Sequence, residues 1–338
     1  MATIRDVARM AEVSISTVSL ALNDPDRVKP ETREKVLKIA SSIGYSADPI
    51  AQTLKSGRSK MIGVVVTDIN NPFFGNLLHE IEQQAYKDNY MVLLSDTGGD
   101  PARELAIMNH MAGQRVAGIL LSTCVQEGQS IEHIRQLKMP CVLFDQQFDS
   151  LGRDFVGSDN ELAAAMLTRH LLELGHRDIC MLGGATGIFT SRMRANGFID
   201  TMRAAGIEVR PDMILDAEYR ADRAYDITLK LFAGQRRPTA IVAASNVIAL
   251  GALQALKDLA IDCPEDVSLV GIDDVPWSGL IVPKITSAVQ QIDLLARKAS
   301  QMLMRRIAEY GKDAAQPETC IFSPKLVMGG STAKPPSS

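Results

Sequence analysis

The chain has 338 residues, 46% hydrophobic and 22% charged, with a net charge of −4. That length suggests two or three domains, and the apolar fraction excludes a largely disordered chain. The mean charge hides an asymmetry: residues 1–60 hold ten Lys and Arg against seven Asp and Glu, a net +3, and residues 61–338 hold 26 against 33, a net −7. A small basic head on an acidic body is expected when only one end meets a polyanion. Residues 1–20 carry Asp6 and Glu12 and lack the apolar core of an export signal. The longest uncharged stretch, Thr239–Leu256, is broken by polar residues and shorter than the ~20 apolar residues of a membrane span. A cytoplasmic protein with no membrane partner is therefore expected. The cysteines (Cys124, Cys141, Cys180, Cys263, Cys320) are odd in number and dispersed. They read as reduced core residues, not as a disulfide or zinc framework, and no cofactor is expected.

Residues 3–44 read as three short helices. Thr3-Ile-Arg-Asp6 has the form of a capping box, followed by the apolar stripe Ile4, Val7, Ala8 and Ala11. Glu12-Val13-Ser14 is a tight turn, and Ser14 can cap a second helix, Ile15–Leu22, which stops at Asn23-Asp24-Pro25. Pro30 opens a third helix that Gly44 ends. Two helices joined by about three residues form a helix-turn-helix pattern, whose second helix would enter the major groove. Residues 46–60 carry a helical pattern in Ile50, Ala51 and Leu54 with too few apolar residues to fold alone. They read as a linker that becomes helical only when held.

From Met61 strands alternate with helices, which means parallel sheets with crossover helices. About 270 residues of it exceeds one core, so two lobes are expected, opening at residues 61 and 179. Ligands of such sheets sit at the C-terminal strand ends.

The segments MATIRDVARMAEVSISTVSLALN and VKPETREKVLKIASSIGY, with residues 48–58, resemble the DNA-binding head and hinge of the lactose-repressor-type (LacI/GalR) family of bacterial regulators. The body resembles that family through IGVVVTDINNPFF, VAGILL, ELGHRDICMLGG, RPTAIVAASN and DVSLVGIDD. The resemblance covers residues 2 to about 330. It implies an all-α helix-turn-helix head (residues 1–45), a hinge (46–60) and a two-lobed, periplasmic-binding-protein-like α/β body (61–330). A disordered tail is expected over 331–338. By the same resemblance Ile15, Ser16 and Leu20 match base-reading positions, and Thr3, Thr17 and Asn23 match phosphate-contacting or helix-fixing ones. Leu54, with Lys55 beside it, matches a leucine wedged into the minor groove, where it kinks the duplex. Leu20 departs from many members, which carry a polar or basic reader there. A leucine can only pack on a thymine methyl or fill space.

In the body, Asn71, Phe73 and Phe74 follow the first strand. Their rings can stack on a sugar or pack as core. Asp145 and Asp273 end strands and can accept hydroxyl hydrogen bonds. Arg192 and Arg194 begin the helix after a glycine-rich loop, and the resemblance implies that an arginine there grips an effector. Two together would suit an acid sugar or a phosphate. Tyr219 and Gln290 match effector-side positions, and Asn246 stands in Ser245-Asn246 where the family commonly shows Asn-Asp. Trp277 lies over the ligand or at the lobe crossover. The expectation is a ligand-responsive regulator, most simply a repressor. It would be a homodimer on a pseudo-palindromic operator, with a sugar or sugar derivative bound between the lobes. The rival readings are a sugar-binding protein or a sugar-using enzyme with no role in gene regulation, but no catalytic constellation stands out.

Overall fold

The computed structural model describes residues 2–23, 27–45, 58–124, 129–148, 151–185, 187–234, 237–311 and 316–336. The hinge positions Leu54 and Lys55 lie outside them. The chain divides into two compact units, Met1–Lys60 and Met61–Ser338.

In the first unit α1 (Ile4–Ala11), α2 (Ile15–Asn23) and α3 (Pro30–Ser42) enclose a core of small apolar side chains, among them Val7, Ala11, Val18, Ala21 and Val36. Thr3 and Asp6 close a reciprocal capping box on α1, with the Thr3 amide donating to Asp6 at 3.0 Å. Glu12 takes a left-handed φ of 58° and reverses the chain. Ser14 Oγ accepts from the Thr17 amide at 3.0 Å and restarts the helix as α2.

The second unit has two lobes, each built on a six-stranded sheet. The first sheet takes β1 (Met61–Val66), β2 (Met91–Asp96), β3 (Ile119–Leu121), β4 (Cys141–Phe144), β5 (Asp154–Ser158) and β11 (Thr319–Phe322) in the order β11-β5-β4-β3-β1-β2, all parallel. The second takes β6 (Ile179–Gly183), β7 (Ile214–Asp216), β8 (Ala240–Ala243), β9 (Ser268–Ile272), β10 (Thr286–Val289) and β12 (Lys325–Val327) in the order β12-β10-β9-β8-β6-β7, with β12 alone antiparallel to its neighbour. The orders correspond strand for strand, so β4 and β9 are equivalent. Both faces of each sheet are covered, which is why the strands read as continuous apolar runs.

On one face of the first sheet lie α4 (Pro72–Lys87) and α11 (Ile292–Ala308), through Leu77, Ile81, Leu295 and Met302. On the other lie α5 (Pro101–Gly113) and α6 (Gln129–Gln136), through Met108, Met111 and Ile134. The second lobe carries α7 (Asn160–Glu173), α8 (Phe189–Ala204), α9 (Ala221–Ala233) and α10 (Asn246–Asp258). Two glycines set its helix spacing: a Cβ at Gly197 of α8 would collide with the Glu161 carbonyl of α7, and one at Gly251 of α10 with the Ala221 carbonyl of α9.

The chain passes between lobes three times: from β5 to α7, from β10 to α11, and from β11 to β12. The passages are tied together. The Asp159 amide donates to the Phe322 carbonyl at 3.0 Å, and Gln291 Nε2 to the Ser323 carbonyl at 2.8 Å. The short strands β10, β11 and β12 are not legible in sequence, because three or four residues of mixed polarity carry no period.

The expected disordered tail is corrected. Ser331 is fully buried and is itself bonded into β9 and β10: the Leu269 amide donates to its carbonyl and the Thr286 amide to its Oγ, each at 2.9 Å. His176 Nε2 lies 2.9 Å from the Ala333 carbonyl, and His170 Nε2 lies 3.0 Å from Thr332 Oγ1. Burial lowers both imidazole pKa values, which favours their neutral forms. Polar bonds to the starts of β9 and β10, not apolar pattern, order this segment. Residues 337 and 338 lie outside the described range. All five cysteines are free thiols, and no helix among the described residues is long and apolar enough to cross a membrane.

One ion pair anchors the first lobe's far edge. Arg306 on α11 grips Asp154 at the start of β5 through two bonds of 2.7 Å, with the Asp154 side chain 1% exposed. Removing the cation strands a buried carboxylate. The Arg306→Ala variant is therefore expected to lose about 3–5 kcal/mol of unfolding free energy, measured as a lower urea midpoint.

Candidate functional site

Strand order reverses around β1 in the first sheet and around β6 in the second, which makes a crevice at the C-terminal strand ends. A cavity of about 160 Å³ occupies this region and is lined from both lobes. The first lobe contributes Thr67, Asp68, Asn71, Phe73, Phe74, Gly99, Thr123, Cys124, Asp145 and Gln146. The second contributes Ile188, Thr190, Arg194, Tyr219, Ser245 and Asp273, and Gln290 enters from the β10–α11 passage.

Asp145 and Asp273 sit one residue past β4 and β9, at equivalent points of the two sheets. Both take the left-handed backbone region, with φ of 63° and 64°. For a non-glycine residue this is uncommon and strained, and it is held here by ladder bonds. The Asp145 amide donates to the Val156 carbonyl at 3.2 Å and the Asp273 amide to the Ala288 carbonyl at 2.9 Å. Asp145 accepts from Gln146 Nε2 at 3.0 Å. Asp273 accepts from the Gln290 amide at 3.1 Å and from Gln290 Nε2 at 2.7 Å.

Burial pushes both carboxyls above the ordinary aspartate range, and the Arg194 guanidinium is the main opposing influence on each. Arg194 is 5% exposed; its Nε donates to Asn160 Oδ1 at 2.7 Å and its Nη1 to the Ala244 carbonyl at 2.6 Å. The guanidinium also stands 5.8 Å from the centre of the Tyr219 ring.

Tyr219 follows Glu218 in a pair of left-handed residues, φ 53° and 56°. Its hydroxyl accepts from Ser191 Oγ at 3.0 Å and pairs with Thr190 Oγ1 at 3.2 Å. The ring lies against Gly184, where any Cβ would overlap it, so the glycine is required by the aromatic wall and not by a phosphate. Across the cleft, Gln146 Nε2 of the first lobe donates to Thr190 Oγ1 of the second at 3.1 Å. Cys124 lines the cavity beside buried Glu104, and burial first, then Glu104, pushes its thiol up to about 12. It is therefore no nucleophile at neutral pH.

Phe73 and Phe74 belong to the core as well as the cavity wall. They are 6% and 5% exposed and meet edge to face at 5.1 Å, while Asn71 caps α4 by accepting from the Phe73 amide at 3.1 Å. Two expected residues are not brought to the cavity. Arg192 is exposed, its Nη1 donating to the Gly187 carbonyl at 2.9 Å, because two residues of α-helix turn it about 200° from Arg194. Asn246 is buried at the start of α10, where its Nδ2 reaches the Asp274 carbonyl at 3.5 Å, and Ser245 occupies the wall instead. Trp277 is 50% exposed and is not part of the cavity lining. Thr67, Asp68, Gly99, Thr123, Cys124, Gln146, Ile188 and Thr190 were not singled out in sequence. Most of them follow strand ends, and the strand-end rule applied to β1, β2, β3 and β4 would have found them.

In the head, α2 turns Val18 and Ala21 inward, 0% and 1% exposed, and leaves Ile15 and Ser16 exposed and Leu20 half-buried. Thr17 is half-buried with Oγ1 2.8 Å from Ser14 Oγ, and Thr3 Oγ1 donates to Asp6 at 2.7 Å within the α1 cap. The Asn23 side chain lies outside the described residues.

The buried carboxylates yield a pH dependence of opposite sign to that of an ion-paired acid. Their folded pKa values lie above the unfolded ones, so the stability they contribute is complete below the unfolded pKa and declines as pH rises through the folded pKa. Asp145→Asn is expected to raise the melting temperature at pH 7 and to flatten its fall between acid and neutral pH, read by a melting series across pH.

Residues 3–48 match the model of bacterial regulatory proteins of the lacI family, and residues 168–332 that of a periplasmic binding protein-like domain. The HTH-type transcriptional repressor PurR of Mannheimia succiniciproducens is 31% identical over 335 residues, 99% of either chain. A LacI family transcriptional regulator from Enterococcus faecium, with bound ribose, is similar at 26% identity and TM-score 0.71, over 81% of this chain and 99% of that one. The lac repressor dimer bound to operator and an anti-inducer shares the fold, with TM-score 0.86 at 24% identity over 98% and 99% of the chains. Identity near a third along the full length, over a helix-turn-helix head and a two-lobed binding body, means that the chain belongs to the lacI family of bacterial regulatory proteins.

Proposed function

We propose that the protein is a transcriptional repressor whose operator affinity is set by a neutral, hydroxyl-rich effector, a sugar or polyol, held between the lobes. It acts as a homodimer, two heads meeting the two halves of a pseudo-palindromic operator. It is a regulator and not an enzyme, as its relatives are repressors.

The observation that carries the effector class is the charge of the cavity wall: three carboxylates, Asp68, Asp145 and Asp273, stand against one guanidinium, Arg194. Acidic groups outnumber the basic one, so the matching ligand supplies hydroxyl hydrogens and carries no anionic group. A phosphate or sugar acid would need Arg192, which faces solvent. The proposed contacts are hydroxyl donation to Asp145 and Asp273, a hydrogen bond from Arg194 to a ring or hydroxyl oxygen, and stacking on Tyr219, with Phe73, Phe74, Asn71 and Gln290 completing the wall. A ribose-bound relative supports the class without naming the ligand. On DNA, Thr3, Thr17 and Asn23 would contact phosphates or steady the helix, while Leu54, with Lys55, would enter the minor groove.

The test is a melting screen of neutral sugars and polyols against sugar acids and sugar phosphates. A neutral hit at 100 times its Kd should add about 2.7 kcal/mol of stability. Asp273→Ala should remove that shift. Removing residues 1–60 should abolish operator binding and leave the shift intact. Stabilisation only by acids or phosphates, or an unchanged shift in Asp273→Ala, would refute the assignment.

A further inference from the structure

We infer that the first turn of α8 is a latch by which the second lobe holds the first, with Phe189 and Thr190 as its two prongs, and that it presets the lobe equilibrium on which the effector acts. The inference rests on the effector reading above. α8 belongs to the second lobe, yet its first residue packs against the first lobe's core. The Phe189 ring meets Phe155 of β5 edge to face, at 6.3 Å between centres and 80° between planes. Gly157, on the same side of β5, makes this reach possible. A Cβ there would overlap the Phe155 ring, so the ring lies along the strand toward its C-terminal end and the cleft. The next residue of α8, Thr190, is 3% exposed and accepts from Gln146 Nε2 of the first lobe at 3.1 Å.

Asp145 and Asp273 each have a glutamine, and the two glutamines are used differently. Gln290 gives both its backbone amide and its Nε2 to Asp273. Gln146 Nε2 serves two acceptors, Asp145 at 3.0 Å and Thr190 across the cleft. Thr190 Oγ1 in turn pairs with the Tyr219 hydroxyl at 3.2 Å. A chain of hydrogen bonds therefore joins Asp145 to Tyr219, the groups proposed to hold the ligand from opposite lobes. Thr190 and Arg194, four residues apart on one face of α8, line the cavity, whereas Phe189 does not. Phe189 thus acts on the lobe arrangement without entering the ligand's space, which makes it a positioning residue. The latch and a bridging ligand favour the same arrangement, because both draw the same two walls together. The apparent effector Kd is the intrinsic one divided by the fraction of molecules in that arrangement. Weakening the latch lowers the fraction. Effector binding then weakens, and the operator affinity of the unliganded protein moves away from the value that the effector imposes, whichever sign the regulation takes.

The experiment takes the full-length protein, a duplex that it has enriched from a randomised library, and the neutral sugar or polyol that gives the largest shift in the melting screen. Operator binding is followed by fluorescence anisotropy across a titration of that sugar at one fixed salt concentration. Phe189→Ala should need about 5-fold more sugar for half the response, roughly the worth of one edge-to-face ring pair. Its sugar-free operator affinity should move opposite to the direction in which sugar moves it, while its affinity at saturating sugar matches the unaltered protein. The regulatory ratio therefore widens, which a merely destabilised fold would not produce. Phe189→Leu should recover part of the loss. Gln146→Leu and Thr190→Val should each shift the half-response and the sugar-free affinity in the same directions, and should be non-additive when combined. An unchanged half-response in Phe189→Ala overturns the latch, as does a sugar-free affinity that moves in the sugar's own direction. Should Phe189→Ala fail to fold, judged by its melting curve, Gln146→Leu decides by the same two readings. Should no sugar alter operator binding by the unaltered protein, the effector reading fails and small-angle X-ray scattering decides the latch. Sugar-free Phe189→Ala and Gln146→Leu should then show a larger radius of gyration than the unaltered protein, and equal radii overturn the inference.

Discussion

Two carboxylates held out of water beside a single buried guanidinium set the demands on the rest of the body. Burial favours the neutral forms of Asp145 and Asp273, and Arg194 opposes it on both sides of the cleft. Holding such groups in place needs backbone that cannot relax. The left-handed turns after β4 and β9 are locked by ladder bonds from β5 and β10, and Arg194 is braced by Asn160 and the Ala244 carbonyl. In the proposed reading, incoming hydroxyl donors relieve this unfavourable electrostatics, which would link ligand contact and stability through the same atoms.

The cleft belongs to neither lobe. Gln146 reaches Thr190 across it, Gln290 joins Asp273 to the β10–α11 passage, and Gln291 and Asp159 tie the passages to each other. A ligand that prefers one lobe arrangement over another shifts the equilibrium between them by its difference in affinity, whichever sign the regulation takes. In the proposed reading, that difference is the only quantity the body has to deliver to the head.

Much of this was legible in the residues. The capping box at Thr3 and Asp6, the turn at Glu12 and the stripe of α1 follow from local chemistry, because caps and turns depend on neighbours a few positions apart. The alternation after Met61 was equally plain, since doubly covered strands are apolar along their whole length. Asp145 and Asp273 could be marked as strand-end carboxylates on the same ground. The strands β10, β11 and β12 were not visible, and the C-terminal segment read as disordered although Ser331 is buried, because its order comes from hydrogen bonds to the starts of β9 and β10, which are distant in the chain.

Sequence alone determined the class of the molecule: a basic three-helix head whose α2 lacks charge, and an acidic two-lobed body with carboxylates at strand ends. Only the tertiary structure decided which side chains share a cavity. Arg192 and Arg194 are neighbours in the chain, yet one faces solvent and the other the buried carboxylates, because a helix turns about 100° per residue. At the start of α10 it is Ser245, the residue that caps the helix, that lines the cavity and not Asn246. The excess of carboxylates over guanidinium on which the proposed ligand class rests is a sum over residues from Asp68 to Asp273, and such a sum exists only once the chain has folded.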